Sequence, residues 1–275
     1  MSINFDVVIE SPENSVDMKA GLDTLQGASE ATRYVAEALL TNKLSKRHNH
    51  NNKIRTRLKH TFTGSYGHIY SLDIFDEKAQ EKFNQIGESV FSELMAFHIN
   101  EALYLESNPL SLAAQIVLDE LGERSEVLIK KLRVSALSKA HETSVKFNQA
   151  VKIRHHISDV QQTQLARLTR DTVKTLHAKI DRRTIEISAS ITRLNINTGN
   201  GRLLVEGATE TVAFGFGLEY KFIKREAKQL FSTNLDHNNV IPDNEKWEKL
   251  RLEVQPLKLR DGKIVKYIIK GFHNA

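Results

Sequence analysis

Lys53-Ile54-Arg55-Thr56-Arg57-Leu58-Lys59-His60 decides how the front of this chain folds. Its side chains alternate between cation and apolar or small, the period of a β-strand with two unlike faces. One face takes Lys53, Arg55, Arg57 and Lys59, the other Ile54, Thr56 and Leu58. Lys43, Lys46 and Arg47 lie just upstream, so residues 43–60 hold seven basic side chains and no acidic one. Like charges on neighbouring same-face positions repel, and a fold tolerates them where an anion offsets them. That patterning points to a polyanionic partner.

Downstream, residues 61–65 with Gly64 make a turn and residues 66–75 return as a second strand. A simple register sets Ile54 opposite Leu72, Thr56 opposite Tyr70 and Leu58 opposite His68. On the other face Lys53 meets Asp73, Arg55 meets Ser71 and Arg57 meets Ile69, so a single cation gains a carboxylate. The apolar face needs a partner layer. Residues 4–10 supply another strand, with Phe5, Val7 and Ile9 alternating. Ser15 or Asp17 caps a helix running to Leu44 and interrupted near Gly27, with a buried stripe of Leu22, Leu25, Ala28, Val35, Ala36 and Leu39 and a polar gap at Thr32.

The middle of the chain has helical spacing. Residues 76–105 offer Phe83, Ile86, Val90, Leu94, Phe97 and Ile99 to a core and stop at Asn108-Pro109. Further helices are expected over 111–121, 123–134, 137–151 and 161–180. The last places Leu165, Leu168, Val173, Leu176 and Ile180 to one side and Arg167, Arg170, Lys174 and His177 to the other. From Arg183 the period changes to two. Ile185, Ile187, Ala189 and Ile191 open a run of five strands and one short helix (residues 224–234), with a strand over 247–259 bent at Pro256 and a tight turn at Asp261-Gly262. The fold class expected is α+β: an N-terminal hairpin unit and helical middle over residues 1–182, then a small SH3-like or OB-like β-barrel over 183–275.

The 275 residues include no cysteine, which excludes disulfides, thiolate zinc sites and a cysteine nucleophile. No basic, apolar leader opens the chain and no long apolar run occurs, so a cytoplasmic protein without membrane contact is expected. The charge is segregated: residues 61–123 carry eleven acidic and two basic side chains, directly after the basic block.

The segments MSINFDVVIESPENS (1–15), LDTLQGASEATRYVAEALL (22–40), IRTRLKHTFTGSYGHIYSLDI (54–74), TRLNINTGNGRLLVEG (192–207) and LRLEVQPLKLRDGKIVKYIIKGF (250–272) resemble, in order and spacing, a bacterial domain-of-unknown-function family. The resemblance implies a strand–helix–hairpin front end, a compact C-terminal β domain and a setting among mobile-element or phage-defence genes. It implies no activity and no site residues.

Other constellations carry less chemistry. His48-Asn49-His50 and the adjacent pair His155-His156 do not close a metal site by themselves. Glu219-Tyr220-Lys221, with Glu206 and Glu210 upstream, has the residue types of a Mg²⁺-dependent nuclease in a small-barrel setting. Gly215-Phe216-Gly217 lacks the third glycine of a dinucleotide loop, and no Walker, G-x-S-x-G or H-E-x-x-H sequence occurs. Trp247 and Phe272 are expected in the barrel core. The reading is therefore a non-enzymatic binding protein with no cofactor, metal site or catalytic residue. Its nucleic-acid-binding residues (for DNA or RNA) are Lys46, Arg47, Lys53, Arg55, Arg57, Lys59, Arg167, Arg170 and Lys174, with Phe62, Tyr66 and Tyr70 able to stack on bases. One alternative is an oligomeric or protein-partner assembly through complementary acidic and basic segments. The other is a metal-dependent nuclease through Glu206 and Glu219.

Overall fold

The computed structural model describes residues 1–44, 51–62, 66–156 and 161–273. Lys46, Arg47, His48, His50 and the turn glycine Gly64 lie outside them. The fold is mixed α+β and divides into two compact units, residues 1–176 and 177–275.

In the first unit the elements run β1 (Ser2–Ile9), α1 (Met18–Thr41), β2 (Ile54–Phe62), β3 (Tyr66–Ile74), α2 (Glu77–Ile86), α3 (Glu88–Ala102), α4 (Leu112–Leu121) and α5 (Arg124–Lys131). A π-helical turn, Leu132–Ala136, leads into α6 (Leu137–Ala140), α7 (Glu142–Phe147), β4 (Val151–His156), β5 (Gln162–Leu168) and α8 (Arg170–Lys174). The five strands form an antiparallel sheet in the order β2-β3-β1-β4-β5. Ile3, Phe5, Val7 and Ile9 of β1 are buried, and with Tyr70, Leu72, Ile153 and Leu168 they form one face of a core shared with the helices.

Asp17 caps α1 by accepting the Ala20 N–H at 2.8 Å. The helix then runs through Gly27 without the expected interruption. Gly27 is instead where α1 touches another backbone: a Cβ there would lie 2.2 Å from Ala140 N and 2.6 Å from Ala136 O. Leu22, expected in the core, is 56% exposed. The polar gap at Thr32 is filled by Tyr70, whose hydroxyl lies 3.2 Å from Thr32 Oγ1. The helix expected over 76–105 is split by Gly87, which sits at φ +80° between α2 and α3.

Two elements differ more deeply from expectation. The hairpin keeps its faces but slides by two residues, pairing Ile54 with Ile74, Thr56 with Leu72 and Leu58 with Tyr70. Lys59 falls in a β-bulge between Leu58 and His60. The helix expected over 161–180 is not one helix. Residues 162–168 form edge strand β5, and α8 is confined to Arg170–Lys174. The β4–β5 ladder shifts register so that Leu165 is left without a partner, and Leu165, Ala166 and Leu168 are all buried. A bulge of this kind breaks the period of two, which leaves spacings of three that mimic a helix.

The second unit holds β6 (Lys179–Ile180), β7 (Ile185–Leu194), β8 (Gly201–Val205), β9 (Val212–Phe216), α9 (Arg225–Asn239), β10 (Leu250–Lys258) and β11 (Ile264–His273). Strands β7-β8-β9-β11-β10 close into a five-stranded barrel, with β9 and β11 parallel and β10 returning to β7. The closed order, with a helix between the third and fourth barrel strands, is of the OB type rather than the SH3 type. Pro256 does not break β10. It sits between the stretch paired with β7 and the stretch paired with β6, where its missing N–H leaves no gap in either ladder.

Phe231 of α9 closes the barrel core against Phe214 and Phe216, with ring centroids 5.5 and 5.1 Å apart. Two buried amides fasten the helix. Asn234 accepts the Ile191 N–H at 2.8 Å and donates to the Glu248 carbonyl at 2.9 Å, while Asn238 accepts the Glu248 N–H at 2.8 Å. Phe272 packs against the barrel core as expected. Trp247 does not: it lies ahead of β10, half-buried, donating Nε1–H to the Ile241 carbonyl at 2.8 Å. Among the described residues no helix is long and apolar enough to cross a membrane.

Candidate nucleic-acid interface

The register of the first sheet fixes what stands on the face away from the helices. Residues directly opposite one another share a face. On β1 that face carries Asn4, Asp6 and Val8; on β3, Ser71 and Asp73; on β2, Arg55, Arg57, His60 and Phe62. Across β1 it continues with Lys152, Arg154 and His156 of β4 and with Gln164 and Arg167 of β5. Two basic segments a hundred residues apart in sequence thus converge on one surface.

Asp6 is the keystone of this face. It has no solvent exposure, and Arg154 grips it with two hydrogen bonds, Nε to Oδ1 at 2.8 Å and Nη2 to Oδ2 at 2.7 Å. His156 Nε2 lies 2.5 Å from the same Oδ2. A buried carboxylate needs such partners, and the bidentate guanidinium is the strongest of them. Towards the end of β1, Glu10 bonds two cations, Lys152 at 2.7 Å and Arg167 at 2.8 Å. The Lys152 hydrogen bond, opposed by partial burial and helped by Arg167, holds the Glu10 carboxyl below its usual range. One carboxylate shared by two cations leaves positive charge over. On the β2 side Arg57 pairs with Asp73 at 2.9 Å and Lys53 pairs with Asp76. The observed register brings Asp73 to Arg57, and the cap residue of α2 serves Lys53, whereas the simple register set Asp73 opposite Lys53.

Aromatic rings sit among these charges. The Arg55 guanidinium lies 4.1 Å from the centroid of Phe75, which is 46% exposed, and Arg57 lies 5.5 Å from the same ring. Phe62 lies over Gly67, where any Cβ would come within 2.3 Å of the ring, and Arg154 is 6.0 Å from the Phe62 centroid. Tyr66 and Tyr70, expected to stack on bases, belong to the other face. Tyr70 is buried, with its hydroxyl pKa raised by desolvation, and Tyr66 packs on His68.

The remaining sequence-derived residues divide. Lys59 is exposed in its bulge. Arg167 stands on β5 and not on a helical stripe. Arg170 and Lys174 are exposed on α8, where Lys174 pairs with Asp171 at 2.6 Å. Asp6, Glu10, Phe75, Lys152 and Arg154 were not singled out from sequence, and His156 was considered only with His155 as a metal pair. The signal was present in Val151–His156, where Val151, Ile153 and His155 alternate with Lys152, Arg154 and His156 as Ile54, Thr56 and Leu58 alternate with the β2 cations.

His155 and His156 do point to opposite faces. His155 is buried against Phe5 at 4.9 Å, with burial chiefly, and His156 next, pushing its pKa down to about 4. Glu206 is paired with Lys249 at 2.7 Å and Glu219 with Lys221 at 2.5 Å. Among the described residues no group of three or more His, Cys, Asp or Glu is placed to hold a metal ion. Comparison with protein-family models, with curated proteins and with solved structures finds no match to this chain.

Proposed function

We propose that this protein binds single-stranded nucleic acid on the open face of its first sheet. The observation that carries the reading is Lys152 and Arg154 on β4, a strand inside the sheet, sharing a face with Arg55 and Arg57 of β2. Cations on β2 alone have another explanation. β2 is an edge strand, and charged side chains and a bulge such as that at Lys59 protect edges from pairing with other chains. Edge protection does not account for an interior strand. Lysine and arginine at these positions can neutralise phosphates and release counterions, and Phe75 and Phe62 supply π-faces for bases. Such a surface favours a single strand, whose bases are free to stack. The assembly alternative has a specific observation to meet: Lys53–Asp76 and Arg57–Asp73 already join the basic segment to the acidic one within a single chain.

The test is fluorescence anisotropy with labelled single- and double-stranded DNA and RNA over a salt series. The expected result is binding to single strands at low salt that weakens steeply as salt rises. Folded protein that binds none of the four at low salt contradicts the reading and leaves assembly as the explanation of the segregated charge, to be read from a mass that falls with salt.

A further inference from the structure

A cavity of about 330 Å3 lies between α3 and the free edge of β5. Its walls include Ser92, Phe97 and Asn100 of α3, Ser107 and Asn108 of the following connection, and Gln164 of β5. The wall chemistry is neutral. The one acidic side chain among the lining residues, Glu93, is engaged by the N–H and hydroxyl of Ser111. The rest divides between apolar side chains, Ala96, Phe97, Leu110 and Leu165, and amides and hydroxyls able both to donate and to accept. Ser92 is 4% exposed, and its hydroxyl, like that of Ser107, is buried without a hydrogen-bond partner. Buried hydroxyls are ordinarily satisfied, so these two mark a wall with hydrogen-bonding capacity to spare. The volume is at the small end of ligand cavities, enough for one ring system.

The cavity also wraps around the strand that carries part of the cationic face. Thr163 and Gln164 both line it, and they belong to opposite faces of the sheet: Thr163 pairs with the buried His155 and Gln164 with Arg154. Arg167 lies three residues further along the same strand.

We infer that this cavity receives a single nucleobase from a strand whose phosphates lie on the sheet face, giving the protein a base preference. The inference rests on the nucleic-acid reading above. Neutral amides and hydroxyls match the donor and acceptor pattern of a base edge, whereas a phosphate in the cavity would meet no cation among the residues lining it.

Two readouts separate this inference from the reading it rests on. The first is the affinity of homopolymeric oligonucleotides of each base for the wild type, Ser92→Ala and Asn100→Ala. Ser92→Ala removes an unpartnered hydroxyl and should leave the fold intact. The expected result is one base preferred by about tenfold, with the preference cut to about twofold in both variants and the weakest oligonucleotide bound as before. The second is a titration of the four nucleosides, which carry no phosphate, followed by amide NMR shifts. Shifts confined to α3 and β5, and lost in Asn100→Ala, support the cavity even if no oligonucleotide binds and the nucleic-acid reading fails. Four oligonucleotides that bind with equal affinity, or no nucleoside shift at millimolar concentration, overturn it and leave a cavity that holds water only.

Discussion

The two β systems of this chain are fastened by different chemistry. The open sheet turns on a buried carboxylate: Asp6, without solvent exposure, collects Arg154 and His156 across the β1–β4 ladder. The barrel turns on buried amides: Asn234 and Asn238 of α9 clip the Ile191 and Glu248 backbone. A neutral clip closes the barrel around its own core and adds no charge to it. An ionic clip holds a guanidinium at the surface of a sheet face, so the first unit is built to present cations. The difference also sets how each unit should fail.

The sharpest way to break the comparison is Asp6→Ala. It leaves the partly exposed Arg154 and His156 without their carboxylate, and the loss should approach the lower end of the roughly 3–5 kcal/mol for a fully buried pair broken from one side. Chemical denaturation with hydrogen exchange should show β1 and β4 losing protection while α9 and β10 keep theirs. Equal loss in both units contradicts the assignment of Asp6 to the first alone.

Acid should separate the units next. Burial pushes His98 and His155 of the first unit down to about 4, and among the described residues the barrel buries no histidine. Between pH ~6.5 and ~4 the unfolded chain binds more protons than the folded one, so stability falls as pH falls through that window. The cost is roughly 3 kcal/mol at most for fully buried His98. The barrel's own acid-sensitive groups are carboxylates. Asp181, held low chiefly by Arg183 and then Lys258, and Glu206, held low by Lys249, keep their contributions until pH drops through the carboxylate range. Near-UV and amide signals of the first unit should therefore disappear at a higher pH than those of the barrel.

Asn234→Ala probes the other clip. It leaves the Ile191 N–H unpaired, a loss of about 1–3 kcal/mol that should appear in β7 and α9 only. The smallest effect on stability is expected from Lys152→Ala/Arg167→Ala. These pairs share a Glu10 carboxylate that stays hydrated, so the melting midpoint should move by less than about 1 kcal/mol's worth.

The same contrast explains what the sequence revealed. The barrel was legible because Ile185, Ile187, Ala189 and Ile191 alternate cleanly and Gly262, at positive φ, marks the turn between its last two strands. The hairpin faces were legible for the same reason, but not their register, which no turn signal fixed and which the Lys59 bulge changes by one residue partway along the ladder. β4 and β5 were hidden. The pairing of β4 with β1 spans most of the unit, and the bulge at Leu165 on β5 turns a strand's alternation into the three-residue spacing of Leu165 and Leu168. Of the candidate site, the β2 half followed from local pattern. The β4 half, with Asp6 and Glu10 beneath it, became visible only through the strand order.

The central claim is that β2 and β4–β5 act as one surface. It is tested most directly by the salt dependence of single-strand binding in Arg55→Ala/Arg57→Ala, in Lys152→Ala/Arg167→Ala and in all four together. The account predicts that each pair lowers affinity by roughly tenfold and flattens the slope of log affinity against log salt by about 1, and that the combined variant loses both increments. If the β2 pair alone matters, or if neither pair changes the slope of a folded protein, the cations of β4 and β5 are structural partners of Asp6 and Glu10 and the shared-surface account is wrong.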